Sequence, residues 1–302
     1  MQIILSQSAP IIGLVILGFL LRQVKIIQAT DLPVLTRLIL NVTLPPVIFI
    51  SLVRAQLELS MLVVLALVGA VIPIVLSLVA MLVARGMKLE SPVAGVVVLS
   101  ASVTNISFFL LPFVQVIYGA EGLSRLVAYE VGNSLMNNSY AFYLASRYGA
   151  GKNWAWSTCL KKIFALPVVW ASILGVAVNL AGVRLPDLLI RLLDPLAAAN
   201  MPLAMMTLGS SIELRFTNWK PMLVGVGLRL GGGWALGQAL ILALGLQGLE
   251  RTVVGLGATM PIGMVVLIYS SLMGLSVELA ASTISLSILV ALLVTPLLLL
   301  LY

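Results

Sequence analysis

Histidine is absent from all 302 residues. That removes imidazole metal ligands, imidazole general bases and imidazole proton relays together. The one cysteine, Cys159, cannot form an internal disulfide, so the redox compartment is not encoded in cysteine usage. Charged residues make up 9% of the chain, against about 25% in a soluble domain. Such a chain cannot cover a water-facing surface, and no hydrophilic stretch is long enough to fold separately. HExxH and nucleotide-binding loops are missing too. The glycine run GLRLGGGWALG (227–237) has no following Lys-Ser/Thr and lies in an apolar segment, so it reads as close helix packing rather than a phosphate loop. The chain is therefore not read as an enzyme, and neither cofactor nor metal is expected.

Apolar residues are abundant, and the mean hydropathy is +1.18. Runs of roughly 20 apolar residues recur along the whole length, which predicts an all-α integral membrane protein. Ten spans are expected, at about 3–21, 32–53, 61–84, 91–118, 124–146, 162–182, 186–210, 219–244, 251–273 and 277–301. The first has no basic n-region or cleavage site and reads as a retained span rather than a signal peptide. A net charge of +7 could suggest nucleic acid, but the basic residues sit in short loops between spans, and the bilayer is the expected partner. Trp154 and Trp156, in the polar connection 146–162, fit an aromatic belt. Alternate loops carry 11 Lys and Arg on one side (Arg22 to Lys220) against 5 on the other, with Arg229 inside a span. The positive-inside rule then puts the first group, and the 146–162 loop, in the cytoplasm. Ten spans leave both termini outside a multi-pass cell-membrane protein.

The two halves echo each other. PVIFISLVR from Pro46 aligns with PLAMMTLGS from Pro202, LPVLTRL (32–38) with LPDLLIRL (185–192), and ESPVAG (90–95) with ERTVVG (250–255), all at an offset of about 155 residues. Five spans per half make the second half upside down relative to the first. The expectation is a single membrane domain built as a 5+5 inverted repeat, residues 1–150 and 155–302, the signature of secondary transporters.

Two spans break the rules of a lipid-facing helix. In SVTNISFFLLPF (102–113), Thr104, Asn105 and Ser107 precede Pro112, whose ring clashes one turn back near Phe108. In GLGATMPIG (255–263), Gly255, Gly257, Gly263 and Pro261 surround Thr259. Both stretches fall mid-span, in the fourth and ninth spans, the fourth position of each half. Matched interruptions point to a midplane site where freed backbone groups line a cavity and half-helix N-termini face an anion. The plain alternative for either span alone is a proline kink capped by Ser or Thr.

Polar groups elsewhere add candidates. Glu130, Asn133 and Asn137 share one helix face, suited to a wet cavity or cation site, or simply to interhelical amide bonding. Glu130 is the plausible proton carrier of this half. Arg229 lies about ten residues into the eighth span; it can face an anionic substrate, pair with Glu130, snorkel, or form a structural ion pair. Glu130 and Arg229 are the candidate charge or coupling residues.

At these residues the sequence resembles the auxin efflux carrier family, which includes bacterial malonate-transporter-like permeases and plant PIN proteins. NVTLPPVIFISL (41–52) resembles the family's second span, with Asn41 before a turn centred on Pro46. Asn105 and Pro112 have the spacing of its fourth-span motif, 185–212 is similar to its seventh span, and 260–299 looks like its last two. Ser107 and Leu110 stand where the family has glycines, and the long cytoplasmic loop of plant PINs is absent. The resemblance implies crossed fourth and ninth helices in an architecture like that of NhaA and the bile-acid symporters. It implies elevator-type transport of small organic anions, auxin-like or mono- and dicarboxylates, with one sub-bundle moving against a scaffold of spans 1, 2, 6 and 7. It also implies a homodimer through spans 2 and 7. The expected substrate-binding residues are Thr104, Asn105, Ser107, Pro112, Thr259, Pro261, Asn133 and Asn137, joined through the resemblance by Asn41 and Pro46. A sodium-coupled bile-acid-type symporter is the runner-up, and a non-transporting receptor or scaffold a further alternative.

Overall fold

The computed structural model describes residues 2–55, 58–149, 167–183 and 185–302. The 146–162 connection lies mostly outside them, with Trp154, Trp156 and Cys159. The described elements are helical throughout, apart from one isolated antiparallel bridge between Thr104 and Ile262.

The helices are α1 (Gln2–Gln23), α2 (Leu32–Leu38), α3 (Leu44–Arg54), α4 (Leu59–Gly86), α5 (Ser91–Ser102), α6 (Leu111–Asn138), α7 (Tyr140–Tyr148), α8 (Pro167–Leu180), α9 (Asp187–Ser210), α10 (Trp219–Gly227), α11 (Gly233–Leu244), α12 (Gly248–Ala258), α13 (Val265–Met273) and α14 (Val277–Leu301). Three π-helical turns, Ile39–Thr43, Ile106–Leu110 and Leu228–Gly232, join neighbouring pieces into longer rods. Two of them lie just ahead of prolines, Pro45–Pro46 and Pro112. A wider turn there accommodates the ring and the missing amide.

Among the described residues, six stretches are long and apolar enough to cross a bilayer: Leu32–Arg54, Ser60–Gly86, Ile106–Tyr148, Asp187–Ser210, Trp219–Leu244 and Val277–Leu301. Three shorter apolar helices, Gln7–Gln23, Ser91–Ser102 and Pro167–Leu180, accompany them. The expected sixth span begins outside the described residues; for the fourth, fifth and ninth the difference from the expected ten has a physical origin. The expected ninth span is two helices of 11 and 9 residues, α12 and α13, and the expected fourth is divided after α5. The expected fifth runs on from the second part of the fourth through a bend at Gly119, where φ is 57° and ψ −149°. Only glycine adopts such a conformation readily.

The chain divides into two compact units. The first takes in Met1–Val63, Ser107–Ala128 and Phe164–Ile212. Within it α1 and α9 approach backbone to backbone: a Cβ on Gly18 would run into the Met206 carbonyl, and one on Gly209 into the Val15 carbonyl. The Ser210 hydroxyl uses this closeness to donate to Gly18 O at 2.9 Å. Without a hydrophobic drive between helices in lipid, such small-residue contacts supply the dispersion energy that holds them together. At the end of α3, the Asn179 amide of α8 reaches the carbonyls of Leu52, Val53 and Ala55 at 2.9, 3.0 and 2.8 Å, satisfying acceptors the helix leaves open. Thr43 Oγ1 donates to Asn200 Oδ1 at 3.0 Å, both side chains buried.

The second unit takes in Val64–Ile106, Tyr129–Ile163 and Glu213–Tyr302. Here α4 packs on the distal part of α6 by the same device. A Cβ on Gly69 would strike the Tyr129 carbonyl, and one on Gly132 the Ala66 carbonyl. The interrupted ninth span, α12 and α13, belongs to this unit, as does α5, the first half of the interrupted fourth; the second half of the fourth, from Ser107, belongs to the first unit.

These contacts give a paired expectation. Gly209→Leu should destabilise the purified protein by about 1–3 kcal/mol, since the α1 backbone leaves no room. Gly227→Ala, at an exposed helical site with nothing within 4 Å of the added methyl, should leave stability unchanged or raise it by up to ~1 kcal/mol. Thermal unfolding of the two variants in detergent checks the contrast.

Candidate functional site

In hydrocarbon, an interrupted helix must have its freed backbone groups satisfied within the protein. In the second unit the two interruptions satisfy each other. After α5 the chain is extended through Val103, Thr104 and Asn105; after α12 it is extended through Met260 to Gly263. Asn105 N donates to Pro261 O at 2.9 Å, and Gly263 N donates to Val103 O at 3.1 Å. These bonds make the antiparallel bridge of Thr104 and Ile262. Ile262 N finds Ser287 Oγ of α14 at 3.0 Å, and Thr104 O accepts from Asn137 Nδ2 of α6 at 3.3 Å. Asn137 is held in turn by Tyr269 of α13, whose hydroxyl donates to Asn137 O at 3.1 Å.

The glycines of GLGATMPIG have separate steric reasons. A Cβ on Gly257 would come within 2.9 Å of the Tyr129 ring, and one on Gly263 within 2.9 Å of Val103. One on Gly255 would overlap the Tyr302 ring. Thr259 caps α12 by donating its hydroxyl to Gly255 O at 2.8 Å and its amide to Leu256 O at 2.9 Å.

Arg229 is fully buried, in the π-helical turn between α10 and α11. Its Nη1 donates to Ala101 O at 3.0 Å and its Nη2 to Ala258 O. It makes no ion pair with Glu130. Glu130 instead accepts from Asn133 Nδ2 at 2.7 Å. The glycine run around Arg229 is partly explained by packing, as expected: a Cβ on Gly233 would press on Ala258 O and stand 2.7 Å from Arg229 Nη2, and one on Gly237 would meet Ala258 Cβ at 2.7 Å.

The structure thus brings together Thr104, Asn105, Asn137 and Pro261 through direct hydrogen bonds. Thr259 stands two residues before Pro261 on the same interruption, and Asn133 one turn from Asn137. Pro112 is not at the break. The chain leaves the helix at Val103, nine residues earlier, and Pro112 follows the π-helical turn Ile106–Leu110, whose wider turn accommodates its ring and missing amide. Asn105 and its polar neighbours, rather than the proline, mark the interruption. Ser107, Pro112, Asn41 and Pro46 belong to the first unit. Asn41 is exposed and bonds back to Arg37 O at 2.8 Å, and Pro46 is buried in the first turn of α3. Residues that sequence reasoning passed over are Tyr269, Ser287 and Tyr129. A tyrosine or serine in an apolar span gives no signal of its own, because its partner lies on another helix.

Around the bridge several buried side-chain atoms have no partner among the described residues: Ser102 Oγ, Thr104 Oγ1, Asn105 Nδ2, Asn133 Oδ1, Asn137 Oδ1 and Ser270 Oγ. A buried polar group left unpaired costs about 1–3 kcal/mol. Three of them, on Ser102, Thr104 and Asn105, lie on the fourth-span interruption, and the others on α6 and α13; Ser8, Gln115, Asn200, Thr207 and Thr295 carry further such atoms elsewhere.

Interrupted helices joined through their backbones, with unspent polar atoms around the junction and long apolar helices beside them, define a membrane carrier. The chain belongs to the membrane transport protein family, that of the auxin efflux carriers, whose model matches residues 3–299. An uncharacterized transporter of Methanothermobacter thermautotrophicus is 31% identical over 292 residues, which are 95% of this chain and 94% of that protein. An uncharacterized transporter of Methanocaldococcus jannaschii is 24% identical over 298 residues, 94% of each chain. The protein is a membrane-located transporter and not an enzyme.

Removing the Asn137 amide should expose its role in the junction. Asn137→Ala leaves Thr104 O without its donor and should lower stability by about 1–3 kcal/mol. Asn138→Ala loses only local bonds to Ser134 O and Ser134 Oγ one turn away and should cost under about 0.5 kcal/mol. Unfolding midpoints of the two variants give the comparison.

Proposed function

We propose that the protein is a secondary active or facilitative transporter of small organic anions, auxin-like or mono- and dicarboxylates, and that the substrate binds at the paired interruptions of the second unit. The observation that carries this reading is the set of unpartnered buried polar atoms there. Ser102, Thr104 and Ser270 are hydroxyl donors and Asn105 is an amide donor. Such groups suit a carboxylate when no fixed negative charge competes. The only carboxylate among the candidates, Glu130, is engaged by Asn133. Asn105 is the primary anchor in this reading, assisted by the N-terminal end of a half-helix.

The finer architecture belongs to the same proposal. Ten spans in a 5+5 inverted repeat are supported by the matched positions of the two interruptions and by the sequence echoes between the halves. Elevator-type alternating access is supported by the way the chain divides. Segments of the expected spans 1, 2, 6 and 7 fall in one unit with the second half of the fourth, whereas the first half of the fourth and both halves of the ninth fall in the other. A homodimer through spans 2 and 7 is carried by the family resemblance, and a cell-membrane orientation with both termini outside by the charge bias.

Two measurements test this. Uptake into proteoliposomes should be seen with at least one class among monocarboxylates, dicarboxylates and indole acids. Asn105→Ala should weaken binding of the transported acid about 10- to 100-fold, the loss of one charge-assisted hydrogen bond worth about 1.5–3 kcal/mol. No uptake of any of these acids, or unchanged binding by Asn105→Ala, would falsify the reading. For orientation, cysteines are introduced at the exposed Glu90 and Gln247 with Cys159 replaced. An impermeant thiol reagent should label the Gln247 site in intact cells and spare the Glu90 site. The reverse pattern inverts the topology.

A further inference from the structure

Transporters of interrupted-helix design meet two electrostatic demands at the break. Half-helix N-termini attract an anion; half-helix C-termini present unpaired carbonyls and a partial negative charge, about half an elementary charge each, and attract a cation. In this chain the second demand is met internally. α5 ends at Ser102 and α12 at Ala258, so Ala101 O and Ala258 O belong to the last turns of the two half-helices. Arg229 donates one Nη to each. The guanidinium is fully buried, and among the described residues it has no carboxylate partner and its Nε no hydrogen-bond partner. A charge so placed is expensive unless something compensates it. The two C-terminal ends are the compensation, and they need the cation as much as it needs them.

We propose that Arg229 is a tethered cation, which occupies the place between the two half-helix C-termini that a free cation would take, and fixes the spacing of α5 and α12 on which the bridge at Thr104 and Ile262 depends. Arg229 is a positioning residue; it does not touch the substrate. Its fork matches two carbonyls at once, which a lysine ammonium does less well. Gly233 has no side chain because a methyl there would press on both Ala258 O and the guanidinium. Two consequences follow. The wild-type protein gains no stability from added sodium, because the position is already filled. Removing the side chain leaves a cavity with two carbonyls that binds a free cation of the same shape.

The inference rests on the proposed site at the interruptions only for its location, and its test does not use transport. Thermal unfolding of purified protein in detergent is measured in choline chloride, sodium chloride and potassium chloride, and with low-millimolar guanidinium chloride added to choline. The wild type should unfold at the same temperature in all three salts, and guanidinium should leave it unchanged or lower it. Arg229→Ala should unfold about 5–10 °C lower in choline. Guanidinium should raise its midpoint, the opposite of its action on the wild type. Stabilisation of the wild type by sodium, or a failure of guanidinium to raise the Arg229→Ala midpoint, overturns the proposal. If Arg229→Ala gives no monodisperse protein, Arg229→Lys and Arg229→Gln decide. A folded Lys variant with a Gln variant that is lost or less stable supports a cation requirement; a Gln variant as stable as the Lys variant overturns it. If neither is recovered, the salt series on the wild type stands as the test. An organic-anion uptake experiment that fails while these midpoints behave as expected rejects the transport reading alone.

Discussion

The backbone bonds between Asn105 and Pro261 and between Gly263 and Val103 are the interaction on which the second unit depends. A helix interrupted in apolar surroundings exposes amides and carbonyls that lipid cannot satisfy, and each orphan costs several kcal/mol. Two interruptions placed side by side solve the problem jointly: each extended stretch supplies the partners the other lacks. Neither interruption would be tolerable alone. The rest of the unit follows from keeping the two stretches in register. Ser287 and Asn137 take up the groups that the bridge leaves over, and Tyr269 holds Asn137 in place.

Bringing two helix ends that close requires small residues at the contact, and it concentrates like partial charges. Glycines at 257, 263, 233 and 237 meet the first requirement, each against a named neighbour. Arg229 meets the second. The cost of burying its charge and the cost of leaving two C-terminal ends unpaired cancel against each other, so the arginine and the interruptions are stable only in each other's presence. An arginine facing the lipid would have none of this compensation.

The first unit is built on different terms. Its helices are continuous or joined through π turns, and its close contacts, Gly18 with Met206 and Gly209 with Val15, are packing contacts; its unpartnered buried side-chain atoms, on Ser8, Gln115, Asn200 and Thr207, are dispersed along α1, α6 and α9. The Asn179 amide closes the end of α3, and Thr43 pairs with Asn200.

Much of this was determined by the sequence alone. Apolar runs of spanning length and the 9% charge content point to an all-helical membrane protein. The interruptions were legible too, because polar residues and glycine clusters inside apolar runs have no lipid-facing explanation. What the sequence could not settle was partnership. Pro112 drew the break toward itself, although the helix ends at Val103; a proline accommodated by a π turn and a proline in a broken helix look alike until the helix boundary is known. Arg229 was compatible with substrate, with Glu130 or with the interface, and only the arrival of Ala101 and Ala258 from residues more than 25 positions away selected the two helix ends. Tyr269 and Ser287 carried no signal for the same reason. Hydropathy and periodicity are local properties of the chain, whereas the satisfaction of a buried polar group is a property of the neighbours that the tertiary structure brings to it.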